Sequence, residues 1–139
     1  EHVIPQFIKK IALFSKNLSK KKIDLKIQGN GKETRSFCYI DDAIEQIFHC
    51  SKFGKDNNIY NIGKNKKISI LDLIKNIENV MKIKIKVKPH KIKKGSVMRR
   101  CPDVNKINKF NNKIDTSLKD GLKKTIDWYL KDYRYTRTI

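Results

Sequence analysis

The sequence predicts an α/β fold: a small mixed sheet with helices packed against it. Three observations carry that prediction. Apolar residues recur at helical spacing in four segments, 3–14, 43–53, 70–81 and 118–129. Segments 24–28 and 82–88 alternate apolar and polar residues with the two-residue period of a strand, and 59–63 is a short apolar run ending in glycine. Turns rich in Gly, Asn and Asp punctuate these segments.

The first helix gathers Val3, Ile4, Phe7, Ile8, Ile11, Ala12 and Phe14 on one face, and Pro5 suits its first turn. A polar loop at 17–22 leads to a strand at 24–28, with Leu25 and Ile27 on one side. That strand runs into Gly29-Asn30-Gly31, two glycines that permit positive φ and a close approach of backbone to a neighbour. Arg35 follows, in a chain that otherwise nearly always uses lysine for positive charge. Asp41 or Asp42 can cap a helix starting at Ala43, and Ala43, Ile44, Ile47 and Phe48 predict that this helix is buried. His49 on it has no partner at metal-ligand spacing and reads as a satisfied or surface histidine. Residues 59–63 read as a buried strand, with Asn61 interrupting the apolar run. Ser69 and Asp72 form a capping box for a helix ending near Met81. Lysines alternating with Ile83, Ile85 and Val87 mark an edge strand whose charges discourage further pairing. Val104, Ile107 and Phe110 form the inward face of a short helix. Ser117 and Asp120 repeat the capping box for the last helix, with Leu118, Leu122, Ile126 and Tyr129 as its stripe and Trp128 as a packing residue.

The 139 residues suit one small domain or a piece of a larger protein, and the chain begins at Glu1 rather than Met, which fits a trimmed or incomplete polypeptide. No stretch approaches the ~20 apolar residues of a membrane span, and no signal peptide opens the chain. Cys38, Cys50 and Cys101 lack paired spacing and read as reduced thiols of a cytoplasmic protein, not as a disulfide framework or zinc site. The net charge of +19 admits a nucleic-acid-binding face. The lysines are scattered through every segment, however, and Lys, Asn and Ile are all abundant, as an AT-rich genome gives, so composition bias is the favoured reading.

The run Gly29-Asn30-Gly31-x-x-x-Arg35-x-x-x-Tyr39-Ile40-x-Asp42 resembles a segment of the extended short-chain dehydrogenase/reductase family, the NAD-dependent nucleotide-sugar epimerases, dehydratases and decarboxylases. Further stretches resemble the same family: Val3-Ile4-Pro5-Gln6-Phe7-Ile8, Ile59-Tyr60-Asn61-Ile62-Gly63, the helix opened by Ser69, Asp103 with Lys106, and Ser117-Leu118 through Trp128-Tyr129. The resemblance covers nearly the whole chain and corresponds to the C-terminal, substrate-binding portion of such an enzyme. It implies a substrate-binding domain at 1–132 and a tail at 133–139 without a motif.

The resemblance also implies a function and a set of site residues. In the complete enzyme an N-terminal Rossmann half binds NAD and carries catalysis, while this portion binds the nucleotide-diphosphate sugar; the complete enzyme can be a homodimer. Arg35 and Arg100 are the residues implied to hold the diphosphate, with Arg99 as the alternative to Arg100 and Lys93 at a second arginine position of the family, where lysine keeps the charge and loses the bidentate fork. Val3 is implied to touch the nucleotide. Asn61 has two readings, a backbone hydrogen bond fixing the strand end or an amide offered to the substrate's phosphates. The glycine fingerprint that cradles the NAD pyrophosphate and the Tyr-x-x-x-Lys pair are both missing, so this chain alone is expected to bind no cofactor and to catalyse nothing. A non-catalytic sugar-nucleotide-binding protein and a basic nucleic-acid-binding module are the alternatives.

Overall fold

The structure, a computed structural model, describes residues 2–15, 22–92, 95–110 and 115–131. Among these the elements are, in order, α1 (Val3–Ser15), β1 (Lys22–Gln28), β2 (Thr34–Ser36), α2 (Ile40–Phe53), β3 (Lys67–Ser69), α3 (Ile70–Met81), β4 (Lys84–His90), β5 (Arg99–Arg100), α4 (Asn105–Asn108) and α5 (Leu118–Lys131). The α/β class is as predicted, with the strands divided between two small sheets: β1 pairs with β4 in parallel, and β3-β2-β5 form a mixed sheet.

The core is built around β1. Its alternation buries Ile23, Leu25 and Ile27 and leaves the intervening residues in water. Phe7, Ile8 and Ile11 of α1, Leu73, Ile74 and Ile77 of α3, and Leu122 and Ile126 of α5 close over that face. Burying such a side chain is favourable by about 1.5–3 kcal/mol, which makes these three helices and β1 the cohesive part of the molecule. Both capping boxes form: Ser69 Oγ accepts from the Asp72 amide at 3.0 Å and Ser117 Oγ from the Asp120 amide at 3.1 Å. β4 is the predicted edge strand, half-buried at Ile85 and Val87 with exposed lysines between.

Other expectations need correction. The second helix starts at Ile40, not Ala43, and its N-cap is Tyr39, which offers no side-chain hydrogen bond. Asp42 is therefore not a cap. It lies in the first turn and is 1% exposed. This helix is also inverted: Asp42 and Gln46 are its buried residues, while Ile44, Ile47 and Phe48 stand in solvent, Phe48 at 69% exposure. Residues 59–63 form no strand; Ile59 is 82% exposed and Asn61 is exposed. Among the described residues no neighbouring strand runs beside them, so a sequence suited to a strand has nothing to pair with. Trp128 is half exposed, edge-on to Tyr129 with ring centroids 4.9 Å apart. The tail at 133–139 lies outside the described residues.

Asp42 and Gln46 are buried because each has dedicated partners. Asp42 accepts from the Thr116 hydroxyl at 2.6 Å and the Thr116 amide at 3.0 Å, and pairs with Lys64 Nζ at 2.7 Å. Lys64 also reaches Asp115 and the Thr116 carbonyl, both at 2.6 Å. Burial acts to raise the Asp42 pKa, but the Lys64 and Thr116 hydrogen bonds outweigh it and hold the carboxyl below its ordinary value. Gln46 clamps Gly63 from both sides, donating to its carbonyl at 2.9 Å and accepting from its amide at 2.7 Å. Ser36 donates to the Lys64 carbonyl. These polar contacts fasten α2 and the 63–64 turn to the segment before α5.

Candidate functional site

A cleft of about 900 Å³ opens where the first turn of α1 faces the mixed sheet. That volume lies within the usual range for a small-molecule site. Val3, Arg35 and Arg100 all line it, together with Glu33, His90 and Ile92.

The sheet dictates the arrangement. β2 is the central strand of its sheet, antiparallel to β3 and parallel to β5. Arg35 is the register partner of Arg100. Register partners on adjacent strands point to the same face, roughly 4.8 Å apart along the hydrogen-bonding direction. The two arginines thus stand on the same face of neighbouring strands, and both line the cleft. Arg35 is held by its own Nη1, which donates to the Thr34 carbonyl at 2.8 Å and touches the Met98 carbonyl at 3.5 Å. The amide of Thr34 donates to the same Met98 carbonyl at 2.8 Å, tying β2 to the approach to β5.

Among the described residues neither arginine forms an ion pair; the ion pairs there belong to lysines and His49. Two like charges on neighbouring strands that lack ion-pair partners repel, and an anion bound between them relieves that repulsion and can receive charge-assisted hydrogen bonds. The first turn of α1 carries no acidic residue, and the N-terminal end of its dipole adds a favourable field for negative charge. Lys10 and Lys26 also line the cleft.

The remaining sequence candidates fall elsewhere. Arg99 precedes Arg100 on the strand and so projects to the opposite face; it does not line the cleft. Asn61 is not among the described residues that line it, and its side-chain amide donates to the Asp103 carbonyl at 2.8 Å. Lys93 lies outside the described residues. His49 Nδ1 sits 2.9 Å from the Glu45 carbonyl, a satisfied histidine. Among the described residues no cluster of His, Cys, Asp or Glu could hold a metal ion.

The glycine turn makes room for the protein's own side chains. Gly29 and Gly31 both have positive φ, at 72° and 80°. A Cβ at Gly29 would lie 1.7 Å from a Glu33 carboxylate oxygen, and one at Gly31 would lie 2.6 Å from Leu71 Cγ. Glu33 is the site residue that sequence reasoning missed. Its position two residues before Arg35 places it on the same side of the chain, but nothing local announces that its carboxylate is enclosed.

Residues 1–63 match the sequence profile of the NAD dependent epimerase/dehydratase family. The chain is 30% identical over 146 residues to human dTDP-D-glucose 4,6-dehydratase, covering 100% of this chain and 39% of that one. Among solved structures, UDP-glucuronic acid 4-epimerase from Bacillus cereus in complex with UDP-glucuronic acid and NAD is 25% identical, with a TM-score of 0.73 over 89% of this chain and 39% of that one. UDP-glucose 4-epimerase from Thermotoga maritima, solved with UDP-glucose, has a TM-score of 0.78 at 21% identity, over 94% of this chain and 40% of that one, a likeness of fold. The chain thus spans about two fifths of the length of these three proteins.

Proposed function

The chain belongs to the extended short-chain dehydrogenase/reductase family of NAD-dependent nucleotide-sugar epimerases and dehydratases, and we propose from that premise that it is the substrate-binding, C-terminal portion of such an enzyme. The substrate is a nucleotide-diphosphate sugar. Arg35 and Arg100 hold the diphosphate between them, the first turn of α1 with Val3 borders the nucleotide, and the sugar projects toward the part of the enzyme that carries the chemistry. The observation that carries this reading is the pair of register-matched arginines, unpaired among the described residues and facing one cleft.

NAD, when bound to the complete enzyme, supplies a hydride acceptor for a sugar hydroxyl. The described residues do not fit that cofactor. The glycine turn after β1 is followed by the short strand β2 instead of a helix N-terminus, and its hollows are filled by Glu33 and Leu71. The roles left to this chain are therefore to bind and orient the substrate, with the cofactor and the proton-transferring groups supplied by a Rossmann half.

The exposed apolar face of α2 supports the same reading. Ile40, Ile44, Ile47 and Phe48 are exposed on that helix, and Ile59 stands in the unpaired strand-like segment that follows it. Such a face beside a segment able to extend a sheet suits the Rossmann half as its occupant, given that the relatives have more than twice the length of this chain. The reading is tested by titrating uridine diphosphate into the full-length protein. Arg35→Ala is expected to weaken binding by about 1.5–3 kcal/mol, the range for a hydrogen bond to a charged group. Unchanged affinity would remove Arg35 from the site.

A further inference from the structure

Glu33 is 5% exposed, and neither of its carboxylate oxygens has a hydrogen-bond partner among the described residues. A carboxylate enclosed without donors is costly, and buried polar groups almost always find a partner. Its placement is set by the main chain: the Glu33 carbonyl accepts from the Ile70 amide at 3.0 Å, and the side chain lies in the hollow that Gly29 leaves open. One oxygen and Ile92 Cγ1 both lie within 3.0 Å of the point where a Gly29 Cβ would stand, so the half-exposed Ile92 on the cleft rim borders the carboxylate. Arg35 does not neutralise it, since its Nη1 is directed to the Thr34 and Met98 carbonyls. Among the described residues Glu33 is also the one acidic residue of a lining that includes Lys10, Lys26, Arg35 and Arg100.

We propose that Glu33 is a recognition residue of this cleft that accepts hydrogen bonds from neutral donors on the ligand's nucleoside, either the ribose hydroxyls or a base N–H. An acid beside an anion site works against the diphosphate, so its place is against the part of the ligand that is uncharged and rich in donors. A pair of adjacent hydroxyls presents two donors to two carboxylate oxygens, and a carboxylate bonded to a ribose is a recurring mode of nucleotide recognition. The donor arrives past Ile92 and gives the two oxygens the partners they lack. This inference rests on the diphosphate reading above.

The test is calorimetric titration of the full-length protein and its isosteric Glu33→Gln variant with three probes: uridine diphosphate, its dideoxy analogue lacking both ribose hydroxyls, and inorganic pyrophosphate. The expected result is a loss of about tenfold for uridine diphosphate in Glu33→Gln, the effect of one such hydrogen bond to a charged group. Pyrophosphate, which has no nucleoside, should hold its affinity or bind more tightly as a negative charge is removed. If the ribose is the donor, the dideoxy analogue binds both proteins alike; if the base is, it keeps the tenfold difference. Equal losses for uridine diphosphate and pyrophosphate, or unchanged or tighter binding of uridine diphosphate, overturn the proposal. A wild-type protein that binds pyrophosphate as well as uridine diphosphate also overturns it and leaves the diphosphate reading standing. One that binds neither removes both.

Discussion

α3 and α2 are helices of similar length and comparable apolar content, and they face opposite ways. α3 buries Ile70, Leu73, Ile74 and Ile77 against β1 and its neighbours. α2 buries Asp42 and Gln46 and leaves Ile40, Ile44, Ile47 and Phe48 in water. An amphipathic pattern states which face is apolar; it does not state that the partner lies in the same stretch of chain. α3 finds its partner here. α2 is instead held by polar contacts, Asp42 to Lys64 and Thr116 and Gln46 to Gly63, which fix its orientation while its apolar face stays open. One helix is thus held by an apolar core of the chain, and the other by polar contacts, with its apolar face exposed.

Breaking the polar anchorage should have the largest effect. Lys64→Ala leaves the Asp42 carboxylate buried without its cation, and removing one partner of such a pair costs about 3–5 kcal/mol. A denaturant-unfolding midpoint that hardly moves would mean that α2 is not held this way. On the other side of the comparison, Leu73→Ala opens a cavity in the core of α3 and should cost about 2–5 kcal/mol in the same assay.

A pH series sharpens the anchorage further. The folded Asp42 pKa is held below its ordinary value, near 3.9 in an unfolded chain. Its contribution to stability is therefore complete above that value and is lost as pH falls through the folded pKa. Wild-type stability should drop more steeply than that of Asp42→Asn on acidification below about pH 4; parallel curves would show that Asp42 carries no such linkage.

Phe48→Ser should have the smallest effect: within about 0.5 kcal/mol in the chain alone, as for a surface change. The full-length protein should be destabilised by more. Equal effects in both would argue that nothing covers α2.

Much of this was legible in the sequence and some of it was not, for separable physical reasons. α1, α3 and α5 follow from local periodicity and capping boxes, and β1 from its alternation, because those signals reside in the segments themselves. β3 and β5, of three and two residues, exist only through pairing with β2, a non-local fact. Arg35 was visible as a rare arginine after a glycine turn and Arg100 was implied by the family resemblance, but their adjacency comes from the β2–β5 register. The choice of Arg100 over Arg99 as a cleft residue likewise follows from side-chain alternation once that register is known. Asp42 looked like a helix cap because caps are local and common; its partners Lys64 and Thr116 lie far along the chain. Residues 59–63 had the composition of a strand and lacked the neighbour that makes one.

Arg35 and Arg100 are proposed to act as one anion site. A double-mutant cycle with Arg35→Ala and Arg100→Ala, read by titrating uridine diphosphate into the full-length protein, tests it most directly. Each single variant is expected to weaken binding by about 1.5–3 kcal/mol, and the double variant to lose clearly less than the sum, as two groups on one diphosphate would. Losses that add without coupling, or single variants that bind as well as the wild type, would contradict it.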